Sequence, residues 1–96
     1  MTNETYNGWT NYETWLVALW IDNEEHSHHF WRDVARERDT VYEFASEMRE
    51  TFETMAENKV GASDFWADMM GAALSEVDWH SVAGNLIDEV KENAIG

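Results

Sequence analysis

WRDVARERDTVYEFASEMRETFETM, residues 31–55, decides what kind of fold this chain can make. Within it Trp31, Val34, Arg38, Val41, Ala45, Met48, Phe52 and Met55 follow alternating steps of three and four residues. Such steps keep side chains on one side of an α-helix, and here they persist for roughly four heptads, with Arg38 as the one polar member. Phe30, Ala35, Tyr42, Phe44 and Ala56 lie beside the seam. The spacing predicts a helical segment over about 24–58, either one continuous helix or a pair kinked near Asp39-Thr40, where Thr40-Val41-Tyr42-Glu43 has the T-x-x-E form of a capping box and a break is possible.

Upstream, Thr10-Asn11-Tyr12-Glu13 has the same form and predicts a short helix to about Asp22, capped by Thr10. Tyr12, Trp15, Leu16, Leu19 and Trp20 fall on one stripe, which Val17, Ala18 and Ile21 widen nearly all round. A helix so apolar is expected at the centre of the core. Asn23 ends it or caps the next. On the far side, Gly61 reads as a helix stop. Phe65/Trp66, Met69/Met70 and Ala73/Leu74 recur at helical spacing over about 64–75. Asp78 is placed to cap a last helix, about 79–92, that buries Trp79, Val82, Ala83, Leu86, Ile87 and Val90. No segment alternates with period two, so no sheet is expected. The reading is an all-α fold: a small antiparallel bundle of four to five helices with one long central helix. Residues 1–9 form a polar N-terminal tail that Trp9 pins, and residues 10–96 a single helical domain.

Composition sharpens this. Only 18 of 96 residues are Leu, Ile, Val or Phe, a level associated with disorder when net charge is high. Six Trp, five Met and three Tyr supply the missing apolar area, since each buried aromatic removes about 150–250 Å² from water. With no Cys, disulfides, thiolate zinc sites and thiol nucleophiles are excluded. The longest apolar run, Trp15 to Ile21, is seven residues, against about 20 for a membrane span, and the first ten residues lack the basic flank and apolar core of a secretory signal. A cytoplasmic protein is expected.

The chain carries 20 Asp+Glu against 6 Lys+Arg, a net charge of −14. Direct binding to nucleic acid or to an anionic membrane is therefore disfavoured, because both need clustered cations. Two roles for the acidity remain: solvation, with only Lys59 and Lys91 as lysines in a balance like that of halophile proteins, and recognition of a basic protein partner through steering. In the heptad register Glu43, Glu50 and Glu57 take the outermost position, with Asp39, Glu47 and Glu53 beside them. Helical neighbours three or four apart lie about 5–6 Å from one another, comparable with roughly 7 Å between successive phosphates of a strand. These six residues are the candidate partner-binding set, able to imitate a nucleic-acid backbone. Mutual repulsion along such a row raises carboxylate pKa values.

Other chemistry finds little support. Glu24-Glu25-His26-Ser27-His28-His29 places His26 and His29 on one helical face, and imidazole with carboxylate suits Zn²⁺ or Ni²⁺. A site needs three or four fixed ligands, however, and His80 is the one distant histidine, so no metal or other cofactor is assigned. An acid–base pair needs one buried and one wet carboxyl. Asp22, Asp68 and Asp78 border apolar segments, but no spacing brings two of them together. Nucleophile-elbow, P-loop and dinucleotide motifs are absent from the sequence. The chain is read as a non-enzyme with no catalytic residue. At helical spacing its Trp and Met are read as core, any excess as a subunit or partner surface.

Two stretches carry a resemblance. Asn11-Tyr12-Glu13-Thr14-Trp15, continuing through Leu19-Trp20-Ile21-Asp22-Asn23-Glu24 to Phe30-Trp31-Arg32, resembles the opening of a family of small acidic proteins that share an N-Y-E-T-W motif and are encoded by phages, plasmids and prokaryotes including haloarchaea. Ala72-Ala73-Leu74-Ser75-Glu76-Val77-Asp78-Trp79 with Val82-Ala83 resembles that family's closing motif. The family is uncharacterised, so the resemblance implies no catalytic or binding residue. It implies a mobile-element setting, where small acidic proteins act against host defence nucleases. The expectation is a small acidic, non-catalytic binding protein that mimics nucleic acid toward a basic DNA-binding or defence protein. The alternative is a halophile-adapted scaffold whose Trp/Met seam pairs with itself as a homodimer.

Overall fold

In the computed structural model, which describes residues 6–60 and 65–95, five helices follow one another: α1 (Tyr12–Asn23), α2 (Glu25–Arg36), α3 (Val41–Val60), α4 (Phe65–Ser75) and α5 (Trp79–Ile95). Among the described residues there is no strand, only an isolated bridge between Tyr6 and Trp9. Asn7 and Gly8, between them, have φ of 49° and 90°. A two-residue I′ turn needs positive φ at both central positions, which Asn-Gly accepts at least cost. The turn points Trp9 back onto the core, where it is half-buried.

Of the two alternatives for residues 24–58, the pair is the one found: two helices separated by residues 37–40, rather than one continuous helix. In an unbroken helix Trp31 and Phe52 would lie about 31 Å apart; instead their rings stack with centroids 5.9 Å apart, and Phe44 meets the same indole at 6.1 Å. Local chemistry explains the break. The Glu37 and Arg38 amides donate to the Val34 and Ala35 carbonyls in a tightened last turn. The Thr40 hydroxyl then accepts from the Glu43 amide at 3.2 Å, so the second T-x-x-E box starts a new helix. Arg38, the polar member of the seam, sits in the turn itself.

The core forms around α5, which packs against α3, α2 and α1. Its Trp79, Val82, Ala83, Leu86, Ile87 and Val90 are all buried, as expected, against Trp31, Ala35, Phe44, Ala45, Met48 and Ile21. Asp78 caps it: the Ser81 amide donates to Oδ1 at 3.2 Å and the Ser81 hydroxyl to Oδ2 at 2.8 Å.

α1 departs from expectation twice. Its cap is Asn11, which accepts from the Thr14 amide at 2.9 Å; the Thr10 hydroxyl donates instead to Asp78 at 2.6 Å. Its buried face is Thr14, Ala18 and Ile21, whereas Tyr12 is exposed and Trp20 is 63% exposed. A helix apolar nearly all round offers periodicity no single face to select. Burial here follows the polar Thr14, whose hydroxyl donates to Asn11 at 2.6 Å and accepts from the Asp78 amide at 2.9 Å, so it enters the core fully bonded. The junction between α1 and α2 is a single residue, Glu24, whose carboxylate accepts from the Ser27 amide and caps α2.

α4 packs chiefly on α3 and contributes no fully buried residue; Leu74 alone among its large side chains reaches the core. The chain is correspondingly extended, 47 × 35 × 24 Å, with a radius of gyration of 14.1 Å against about 12.5 Å for a compact chain of this length.

Candidate functional site

Helix α3 presents the candidate acidic face. Glu43, Glu50 and Glu57 are exposed at seven-residue intervals, so each lies nearly above the last, about 10 Å further along the axis. Asp39, also exposed, precedes the helix. None of these four makes an ion pair among the described residues. The other two candidates differ. Glu47 is half-buried and held by both arms of the Arg38 guanidinium at 2.7 Å, and Glu53 pairs with Arg49 at 3.1 Å. The Arg38 hydrogen bonds hold the Glu47 carboxyl below its usual range, opposite to the rise that a row of like charges produces. The six residues are thus not one uniform row but four unpaired carboxylates and two neutralised ones.

All four arginines are engaged within the chain. Arg36 pairs with Asp33 at 2.6 Å. Arg32, its side chain only 10% exposed, donates to Glu89 at 2.6 and 3.1 Å, to Asp22 at 2.7 Å and to the His28 carbonyl at 3.1 Å. These bonds clamp α2 to the end of α1 and to α5. The Glu89 carboxyl is held below its usual range chiefly by the Arg32 hydrogen bonds. Because every guanidinium faces an internal carboxylate, the cationic side chains without an ion pair among the described residues are Lys59 and Lys91, and the outward field is dominated by carboxylate.

Of the histidines, His28 and His29 meet edge to face with ring centroids 5.3 Å apart. His28 Nδ1 lies 3.2 Å from the Asp22 carbonyl, His26 stacks on Phe30 with centroids 6.1 Å apart, and His80 stands beside Tyr42. Among the described residues no three His, Asp or Glu side chains are grouped to hold a metal ion. Asp22, Asp68 and Asp78 are likewise separate: Asp22 faces Arg32, Asp78 caps α5 and Asp68 lies exposed on α4. Hydrogen bonds from Thr10 and Ser81 hold the Asp78 carboxyl below its usual range. A small, partly open crevice lined by Trp9, Ala18, Ile21, Arg32, Val82 and Leu86, with Asp22 and Asn85 at its edge, measures about 20 Å³, room for one water.

The expectation that Trp and Met are core holds only for some. Trp31, Trp79 and Met48 are buried and Trp9 and Trp15 half-buried, but Trp20, Trp66, Met55, Met69 and Met70 are exposed. On α4, Phe65, Trp66 and Met69 are 62%, 64% and 53% exposed and share one face. Pair periodicity did register these residues, but it cannot tell that, among the described residues, the helix packs chiefly against α3.

The two stretches that carry the resemblance pack against each other. The Asn11 side-chain amide donates to the Glu76 carbonyl at 2.7 Å, Thr10 binds Asp78, and the Asp78 amide donates to Thr14. That motif chemistry joins the start of α1 to the turn before α5. Among the described residues no helix is long and apolar enough to cross a membrane. No curated protein and no solved structure matches the chain. A family profile does match, over residues 2–95, and the chain therefore belongs to the family of unknown function DUF7249.

Proposed function

We propose that this protein is a non-catalytic cytoplasmic binding module that docks a basic protein partner onto the outer face of α3. The observation that carries the proposal is the file of Glu43, Glu50 and Glu57 with Asp39 at its head, exposed and without ion pairs among the described residues, while all four arginines are held by other carboxylates. A face of one sign steers an oppositely charged partner and raises the association rate most at low ionic strength. Glu47 and Glu53 belong to the same face as paired residues that complete it at its edge. The finer form of the proposal is nucleic-acid mimicry, aimed at a basic DNA-binding or defence protein in a phage, plasmid or haloarchaeal setting. It draws on the sign and density of charge. It does not draw on register, since unpaired carboxylates about 10 Å apart are more widely spaced than phosphates roughly 7 Å apart.

The test is a pull-down from the source cell at low ionic strength, repeated at high salt, comparing wild type with Glu43→Lys/Glu50→Lys/Glu57→Lys. A basic protein should be captured by the wild type at low salt only, and lost by the variant while its helical circular dichroism stays unchanged. Undiminished capture by the variant sinks the proposal. Solvation at high salt is the second reading, favoured by acids exposed well away from α3, among them Asp33 and Asp88. It expects the triple variant to lose solubility in molar salt and no captured protein at any salt.

A further inference from the structure

We propose that the outward face of α4 is the contact surface of a two-fold dimer between two copies of this chain. Phe65, Trp66, Met69 and Met70 are exposed along it, and Ala72 and Ala73 continue it toward the helix end. None of these six positions is charged, in a chain of net charge −14. A helix apolar nearly all round is expected to be covered, and among the described residues α4 packs chiefly against α3.

The size of the face fits a second copy. At these exposures the four large side chains offer roughly 450 Å² per copy, so a pair buries about 900 Å² before the alanines and rim are added, close to the ~1,000 Å² that a specific interface must clear. The order of side chains fits it as well. Along the helix the face runs from large (Phe65, Trp66) through Met69 and Met70 to small (Ala72, Ala73). A two-fold axis through Met69 sets two α4 helices antiparallel, bringing Phe65 over the partner's Ala73 and Trp66 over the partner's Ala72, while Met69 meets its own copy. Two-fold contacts are reciprocal, so one surface must carry both the bulk and the space that receives it. A basic partner is disfavoured here because none of the six positions is an anion; the exposed Asp68 stands at the edge of the face beside Ala72.

Charge sets the conditions. Two copies repel over long range at low ionic strength, and salt screens that repulsion while leaving apolar burial intact. Dimerisation through α4 therefore strengthens with salt, whereas docking on α3 weakens, and either can fail without the other.

Sedimentation of the full chain across a concentration series, at low and molar salt, is the primary measurement. The expected result is a reversible dimer favoured by protein concentration and by salt. Met69→Glu should weaken it at least tenfold without changing helical circular dichroism, because the side chain is exposed. The chain has no Cys, so Met69→Cys adds the sole thiol and should oxidise to a covalent dimer much faster than Ser46→Cys on α3. A monomer under all conditions, a dimer indifferent to Met69→Glu, or equal cross-linking at the two positions overturns the proposal. So does a monomer that binds a different protein through Met69.

Discussion

Helices α5 and α4 are both rich in apolar residues, yet α5 buries six of them and α4 none completely. The difference lies in their neighbours. α5 has α1, α2 and α3 around it, so nearly every apolar side chain meets another; among the described residues α4 has α3 chiefly, and most of its side chains are exposed. The same residue chemistry therefore serves folding in one helix and is available for association in the other. The acidic file on α3 makes a third surface, chemically unlike either, so a single short chain presents both apolar and anionic surface to its surroundings.

The contrast predicts opposite responses to truncation. Phe44→Ala, which removes a ring buried beneath α5, should cost about 3–5 kcal/mol, read by urea unfolding, a large share of the stability of a chain this size. If it costs less than about 1 kcal/mol, the core is not where α5 places it.

Arg32→Ala tests whether the clamp between α1, α2 and α5 contributes to the buried side of the comparison. A loss of about 1–3 kcal/mol is expected, since hydrogen bonds to charged groups exceed neutral ones. The same contact has a pH signature. Glu89 titrates lower in the folded protein than in the unfolded chain, so the unfolded state takes up more protons and stability rises with pH across that window. The contribution is complete above the ordinary glutamate value of about 4.3 and is lost as pH falls through the lowered folded value. Acid unfolding of Arg32→Ala should be less steep there; an unchanged profile rejects the coupling.

Asn11→Ala removes the true cap of α1 and its bond to the Glu76 carbonyl, with an expected cost of about 1 kcal/mol. Thr10→Ala leaves the cap intact and should cost less. The reverse order would restore Thr10 as the cap. Last comes Trp66→Ala, made on the exposed face of α4 and measured in dilute solution, which should shift stability by no more than about 0.5 kcal/mol. A loss near that of Phe44→Ala would mean that α4 is core after all.

Much of the fold was legible in residue order. The α5 burial pattern, its Asp78 cap and the new start at Thr40 all depend on interactions within a turn or two, which spacing and side-chain chemistry report directly. Of the candidate acidic file, the placement of Glu43, Glu50 and Glu57 on one exposed helical face was equally legible. The pairing of Glu47 with Arg38 was not, because those residues approach across the turn at residues 37–40 rather than along one helix.

Helix existence, the anionic balance and the absence of thiol chemistry were determined by the sequence itself, since each follows from composition or from periods of three and four residues. Packing between distant segments is what folds Trp31 back onto Phe52, brings Thr14 rather than Trp20 into the core, and leaves Trp66 in water. Burial belongs to pairs of surfaces, and which surface meets which is settled by chain reversals and polar bonds between distant residues, such as Thr14 with Asp78, that hydrophobic spacing does not encode.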